Sequence, residues 1–278
     1  MDGRERSEAL RRHHLVLVIG LLLAVIVGVQ GLTPVRTASA ATLIEAKNVA
    51  YGTEPQQVMD VRWLSNVVDA PLVVIVHGGW SGSKKGGFAD VATALTEAGF
   101  VTAVPDFRDF GDPDHPAQLR DVRSAIKYLK AHTDDYPFDP DRIGALGNSL
   151  GGWVAGIMGA ETILQPKALV TWSGLFDPLT YPNDSVGPQL FGCEYVDCPD
   201  KWDAGTPLEL VNPGNSPWLI AQSPDEKVPL DQGERMDAAL EANGVDHEFI
   251  VMPPGAGHGK NYADLILPAT VDWFWSYL

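Results

Sequence analysis

The chain has 278 residues, 45% of them apolar and 20% charged, which excludes both a disordered chain and a multi-span membrane protein. Its formal net charge is −16. Such a surface repels phosphate backbones, so nucleic acid is not an expected partner.

Residues 1–40 read as a segment of their own. A basic stretch ends at Arg11-Arg12, and an apolar run from Leu15 to Val29 follows, interrupted by Gly20 and Gly28. Ala38-Ser39-Ala40 then supplies a small-x-small cleavage pattern, so a signal peptide cut near Ala40–Ala41 is expected. The alternative is an uncleaved anchor helix, but the run falls short of the ~20 apolar residues a span needs. The expected location is secreted or extracytoplasmic, with no stable membrane insertion after cleavage. Removing five basic and three acidic residues with the segment leaves 15 against 33, a net −18.

The remainder, 41–278, is expected to be a single α/β domain; its length suits one such fold. Thr42–Tyr51 and Gln57–Leu64 alternate apolar and polar positions and read as opening strands. Leu72–Val76 is an unbroken apolar run ending at His77-Gly78-Gly79, as expected of a buried parallel strand. Phe88–Ala98 reads as a helix closed by Gly99, and Phe100–Val104 as another buried strand. His115–His132 carries apolar residues at helical spacing (Leu119, Val122, Ile126, Leu129), with Pro116 in its first turn.

Further along, Arg142–Leu146 is a predicted strand, Leu150–Ala160 a helix, and Ala168–Trp172 and Trp218–Ala221 strands. Asp231–Ala242 is a helix ended by Asn243-Gly244, His247–Met252 a strand, and Tyr262–Leu278 a closing helix. Strands alternating with helices predict a mostly parallel central sheet flanked by helices, with the ligand site beyond the carboxyl ends of its strands. Residues 175–206 break the pattern. They hold four prolines, five aromatics and both cysteines, Cys193 and Cys198, without clear periodicity. This stretch is expected to form a small cap-like insertion over the site, the alternative being a packed surface excursion. In an exported chain the two cysteines are expected to pair as one short-range disulfide. No second pair of ligands stands near them, so zinc is not expected.

The chemistry sits in four loops. Gly147-Asn148-Ser149-Leu150-Gly151 is a G-x-S-x-G pentapeptide between a predicted strand and a predicted helix, the context of a nucleophile elbow. Serine needs a base, and of seven histidines only His258 lies in a glycine-rich loop after the last strand. The third member must orient that imidazole. Asp225 follows the strand Trp218–Ala221 and keeps the order Ser, Asp, His. Asp177 is the rival; Glu226 and Asp231 read as a solvated loop charge and a helix cap. His77-Gly78-Gly79-Trp80 is an expected oxyanion loop, with Leu150 supplying a second amide. Trp80 and Trp172 are candidate substrate contacts.

On these residues, together with Val104-Pro105-Asp106-Phe107-Arg108, Asp139-Pro140-Asp141-Arg142-Ile143 and Asp225 to Pro229, the chain resembles the α/β-hydrolase superfamily. It is most similar to its bacterial carboxylesterase/lipase group with an HGG-type oxyanion loop. Kynurenine formamidases and acetyl-xylan or feruloyl esterases are relatives of that group. The likeness runs from about Tyr51 to Leu278. It implies Ser149 as nucleophile, His258 as base, Asp225 as its orienter, and Gly78, Gly79 and Leu150 as oxyanion donors. It departs at Trp80, where many relatives have a third glycine, and at Ser223-Pro224, where relatives often have Gly-Thr or Gly-Ser. The Cys193–Cys198 region matches no pattern of the group.

The expected function is hydrolysis of a small-molecule or polymer-attached carboxylic ester through an acyl-enzyme, without metal or organic cofactor. A lipase or serine exopeptidase of the same fold is the nearer alternative. A catalytically silent binding protein is the distant one, although such relatives usually lose the serine or histidine. Nothing in the sequence sets an oligomeric state.

Overall fold

The computed structural model describes residues 41–79, 83–109, 116–162, 164–181 and 186–278. The expected signal segment, residues 1–40, and Trp80 lie outside the described residues.

Among the described residues eight strands form one sheet: β1 Leu43–Ala50, β2 Val58–Leu64, β3 Ala70–Val76, β4 Val101–Pro105, β5 Phe138–Asn148, β6 Ala168–Trp172, β7 Trp218–Gln222 and β8 His247–Val251. Their spatial order is β1-β2-β4-β3-β5-β6-β7-β8. β1 pairs with β2 and β2 with β4 antiparallel. Every other neighbouring pair is parallel. The helices are α1 Ala89–Glu97, α2 Ala117–Ala131, α3 Leu150–Ala160, α4 Val186–Phe191, α5 Pro199–Asp203, α6 Leu230–Ala242 and α7 Ala263–Tyr277. The expected mostly parallel sheet flanked by helices is the one that forms.

The apolar run of β3 is fully buried because both faces of the sheet are covered. Leu72, Val74 and Val76 pack into the cluster shared with α2 and α3, whereas Val73 and Ile75 pack with α1 and α7. β5 starts four residues earlier than expected, at Phe138. Pro140 has no N–H to give to a ladder, and the register of β5 on β3 shifts there, between the Ala70–Phe138 and Leu72–Ile143 pairs.

The 175–206 stretch is built of short pieces. Alongside α4 and α5 it contains single helical turns at Pro178–Thr180 and Tyr195–Asp197. Its aromatics hold it to the body of the fold. The indole of Trp202 meets Phe191 at a tilt of 35°, 4.6 Å between ring centres, and Phe191 meets Trp153 of α3 edge-on at 6.1 Å. The Trp153 indole N–H donates to the Gly205 carbonyl at 2.7 Å, and that of Trp202 to the Cys193 carbonyl at 3.0 Å. Cys193 and Cys198 are joined in a disulfide, as expected.

Trp172 corrects an expectation. The last residue of β6, it is 0% exposed, packs into the cluster shared with α1 and α7, and points its indole N–H to the Thr270 hydroxyl at 3.3 Å. Its side chain is core, on the face away from α3. No helix among the described residues is long and apolar enough to cross a membrane.

Candidate active site

β5 runs into Asn148, and the chain then reverses sharply into α3. Ser149 occupies the reversal at φ 56°, ψ −121°, a left-handed backbone rare for a residue with a Cβ. Ser149 N–H donates to the Trp172 carbonyl of β6 at 2.9 Å, and the Ser149 carbonyl accepts from Gly152 N–H at 2.8 Å. The turn closes only because Gly151 has no side chain: a Cβ there would lie 2.0 Å from the Val76 carbonyl oxygen. Backbone strain held by strand pairing and close approach is characteristic of functional turns. The serine stands at the amino end of α3, where unpaired backbone N–H groups favour negative charge.

Gly78 lies directly against this turn. A Cβ on it would come within 2.8 Å of Ser149 Cβ and 2.7 Å of the Asn148 carbonyl. Gly79 follows at φ 91°. His77 is fully buried beneath them, stacked on Phe107 at 4.2 Å, with one ring nitrogen 3.1 Å from the Gly78 carbonyl and the other 3.4 Å from Asp106.

A cavity of about 250 Å³ opens above the elbow. Gly79, Asn148, Ser149, Leu150 and His258 line it, with Leu175, Tyr181 and Val186 from the insertion and Lys227 and Val228 from the turn after β7. Four of the sequence-predicted residues, Gly79, Ser149, Leu150 and His258, are thus brought to one space by three separate segments: the loop after β3, the turn after β5 and the loop after β8. Burial and the negative field of Glu226 hold the Tyr181 hydroxyl above its usual range, so it remains a neutral donor.

The carboxylate that meets His258 is not Asp225. His258 Nδ1 is hydrogen-bonded to Oε2 of Glu226, whose side chain is 0% exposed against 22% for the imidazole. The other Glu226 oxygen accepts from Ser223 N–H at 2.8 Å. Asp225 faces outward. It accepts from the Ser223 hydroxyl at 2.8 Å and from Gly255 N–H at 2.7 Å, and so ties the β7 turn to the start of the histidine loop. Those two donors, the serine first, hold its carboxyl below the usual range. The reason is geometric. Of the two adjacent acids, Asp225 is exposed, whereas the Glu226 side chain, one methylene longer, is buried and reaches the imidazole.

The reading of Glu226 as a solvated loop charge is therefore corrected as well. Asp177 is also occupied elsewhere: its carboxylate accepts from Leu179 N–H at 3.0 Å and pairs with Arg235 at 2.6 Å. Asp231 lies in the first turn of α6 and makes no cap. Sequence reasoning passed over Glu226 because adjacent acidic residues carry no mark of which one turns inward. Among the described residues, no group of three or more His, Cys, Asp or Glu is placed to hold a metal ion.

The sequence profile of the BD-FAE family matches residues 59–240. Esterase LipC of Mycobacterium tuberculosis is 23% identical over 248 residues, covering 80% of this chain and 61% of LipC. The probable carboxylic ester hydrolase LipM of the same organism is 31% identical over 135 residues, covering 44% of this chain and 31% of LipM. The chain thus spans less than two thirds of the length of these curated relatives. Among solved structures, a truncated carbohydrate esterase from gut microbiota superposes with a TM-score of 0.76 at 23% identity, covering 84% of this chain and 96% of that one. Esterase B from Lactobacillus rhamnosis superposes with a TM-score of 0.71 at 15% identity, covering 84% and 86%. At those identities the structures establish a common fold, the α/β-hydrolase fold.

Proposed function

This chain belongs to the BD-FAE family, and we propose on that premise that it is a serine carboxylic ester hydrolase in which Ser149 is the nucleophile, His258 the base and Glu226 the carboxylate that orients it. The observation that carries this reading is the meeting of a strained serine turn and a carboxylate-bound imidazole at one cavity. The names of the relatives, esterase and carboxylic ester hydrolase, support the same class.

The chemistry follows from the placement. His258 Nδ1 carries its proton toward Glu226, which leaves Nε2 with the lone pair a base requires. The Ser149 oxygen attacks the ester carbonyl while its proton passes to Nε2. The carbonyl oxygen, now negative, takes hydrogen bonds from backbone N–H groups at Gly79 and Leu150. Collapse expels the alcohol, which takes the proton from His258, and leaves an acyl group on Ser149. Water, deprotonated by the same imidazole, then releases the acid and restores the serine. Glu226 is out of solvent, so its charge acts on the imidazolium with little screening.

The 175–206 insertion acts as a cap, with Leu175, Tyr181 and Val186 forming one wall of the substrate space. The enzyme works outside the cytoplasm after loss of residues 1–40, a reading that the Cys193–Cys198 disulfide supports. The test is direct. A fluorophosphonate probe should label the protein at one site, p-nitrophenyl acetate should turn over, and Ser149→Ala should abolish both. A folded wild-type protein that neither labels nor hydrolyses short-chain esters would sink the proposal.

A further inference from the structure

The loop that carries His258 is held at three points. One lies at the surface, Gly255 N–H on Asp225, and a second is the partly exposed imidazole on the buried Glu226 carboxylate. The third is sealed in the core. Gly259 N–H, the backbone group directly after the base, donates to the Ser173 hydroxyl at 2.6 Å. Ser173 Oγ lies 2.8 Å from the Tyr262 hydroxyl, which in turn lies 2.9 Å from the Ala221 carbonyl. Ser173 is 0% exposed and Tyr262 1%.

The ends of this chain fix its direction. A backbone N–H can only donate, so Ser173 Oγ accepts from Gly259 and must send its own proton to Tyr262. A carbonyl can only accept, so the Tyr262 proton goes to Ala221. Each hydroxyl then gives once and receives once, with no water needed. Burial raises the Tyr262 pKa far above its usual range, which keeps that proton in place.

Two further observations mark the contact as built for placement. Ser173 sits at φ 52°, left-handed for a residue with a Cβ, and its own N–H is pinned to the Ala221 carbonyl at 2.8 Å. On its other side Gly259 is pressed against Asn148, where a Cβ would lie 2.2 Å from Oδ1. The residue after the base is thus clamped between the ends of β5 and β6.

We propose that Ser173 and Tyr262 are positioning residues for His258, transmitting the location of the β6 and β7 strand ends to the imidazole through the Gly259 amide. The proposal rests on His258 acting as the base for Ser149.

The test compares wild type, Tyr262→Phe, Ser173→Ala and the double variant. Two quantities are read: hydrogen exchange of the Gly259 amide, and the rate of fluorophosphonate labelling alongside kcat and KM per titrated site. In wild type the Gly259 amide should exchange more slowly than those of Gly255 and Gly257. This is read on the unaltered protein, and a fast Gly259 amide there would overturn the idea however the variants fold. In the single variants exchange should rise at least about tenfold. Labelling and kcat should fall up to about 10²-fold, as for a sub-ångström to ångström misplacement, with KM within about twofold. Because both groups act through one bond, the double variant should be no slower than Ser173→Ala alone. Faster exchange with unchanged labelling per site would reduce the pair to a structural role and overturn the proposal, as would unchanged exchange. A wild type that labels rapidly but cleaves no ester would instead defeat the esterase reading, and the labelling rates would still decide this one.

Discussion

The turn after β5 and the turn after β7 both end a parallel strand and serve the same cavity, yet different forces shape them. At the first, backbone meets backbone. Gly151 has the Val76 carbonyl where a Cβ would go, Gly78 has the elbow itself, and Ser149 is driven into a left-handed conformation that strand pairing holds in place. At the second, the backbone asks little. Two adjacent carboxylates are divided by direction alone: Asp225 outward to Ser223 and Gly255, Glu226 inward to His258. Steric constraint of the first kind leaves a pattern in the residue types. Division of labour of the second kind does not, since either acid suits an exposed turn.

That contrast can be broken at several places. The largest effect is expected at the elbow. Ser149→Ala should lower kcat on the order of 10⁶-fold, as loss of a triad nucleophile does. Residual activity of a few per cent would mean that the strained turn serves another purpose. The next is at the β7 turn. Glu226→Gln should lower kcat by about 10⁴-fold, because an amide presents the wrong partner to the imidazole N–H, while Asp225→Asn stays within a few-fold. If steady-state kinetics reversed that order, the outward carboxylate would be the orienter and the two roles would exchange.

The elbow should also fail through its fold. Gly151→Ala forces a methyl group onto a strand carbonyl, and a loss of about 3 kcal/mol in urea unfolding is expected. A variant as stable as wild type would show that the turn can relax, contrary to the comparison drawn. Asp225→Asn tests the other side by pH. The Asp225 carboxyl is held below its usual range when folded, so its contribution to stability is present above the unfolded pKa and lost as pH falls through the folded one. The variant should melt below wild type at neutral pH, and the gap should close in acid below about pH 4. A gap that persists there would show that Asp225 acts through packing and not through charge.

The smallest effect is expected in the insertion. Closing so short a loop with Cys193–Cys198 is worth about 2 kcal/mol by chain entropy. Replacing both cysteines with serine should shift KM more than melting temperature, since α4 of the same segment brings Val186 to the cavity. Unchanged kinetics would detach the disulfide from the substrate space.

Residues whose role rests on backbone geometry were legible in advance. The continuous apolar run of β3, the helix opening at Leu150 and the glycines about Ser149 all led to elements close to those observed. Where side-chain direction decides, the residue pattern is silent. Trp172 was expected at the substrate and lies on the opposite face of β6, because alternate residues of a strand face opposite ways and the one after Thr171 turns toward α7. Ser173 drew no attention in the sequence, since its hydroxyl gains meaning only from Tyr262, 89 positions further on.

Order of elements, the parallel sheet, and the places of the proposed nucleophile and base were determined by the amino-acid sequence itself, because periodicity and glycine placement are local constraints that each stretch carries alone. The carboxylate that meets His258, the walls of the cavity and the buried hydrogen-bond chain behind His258 were decided only when distant segments met. Which of two acids turns inward, and which hydroxyl finds an amide, depends on what lies opposite in space.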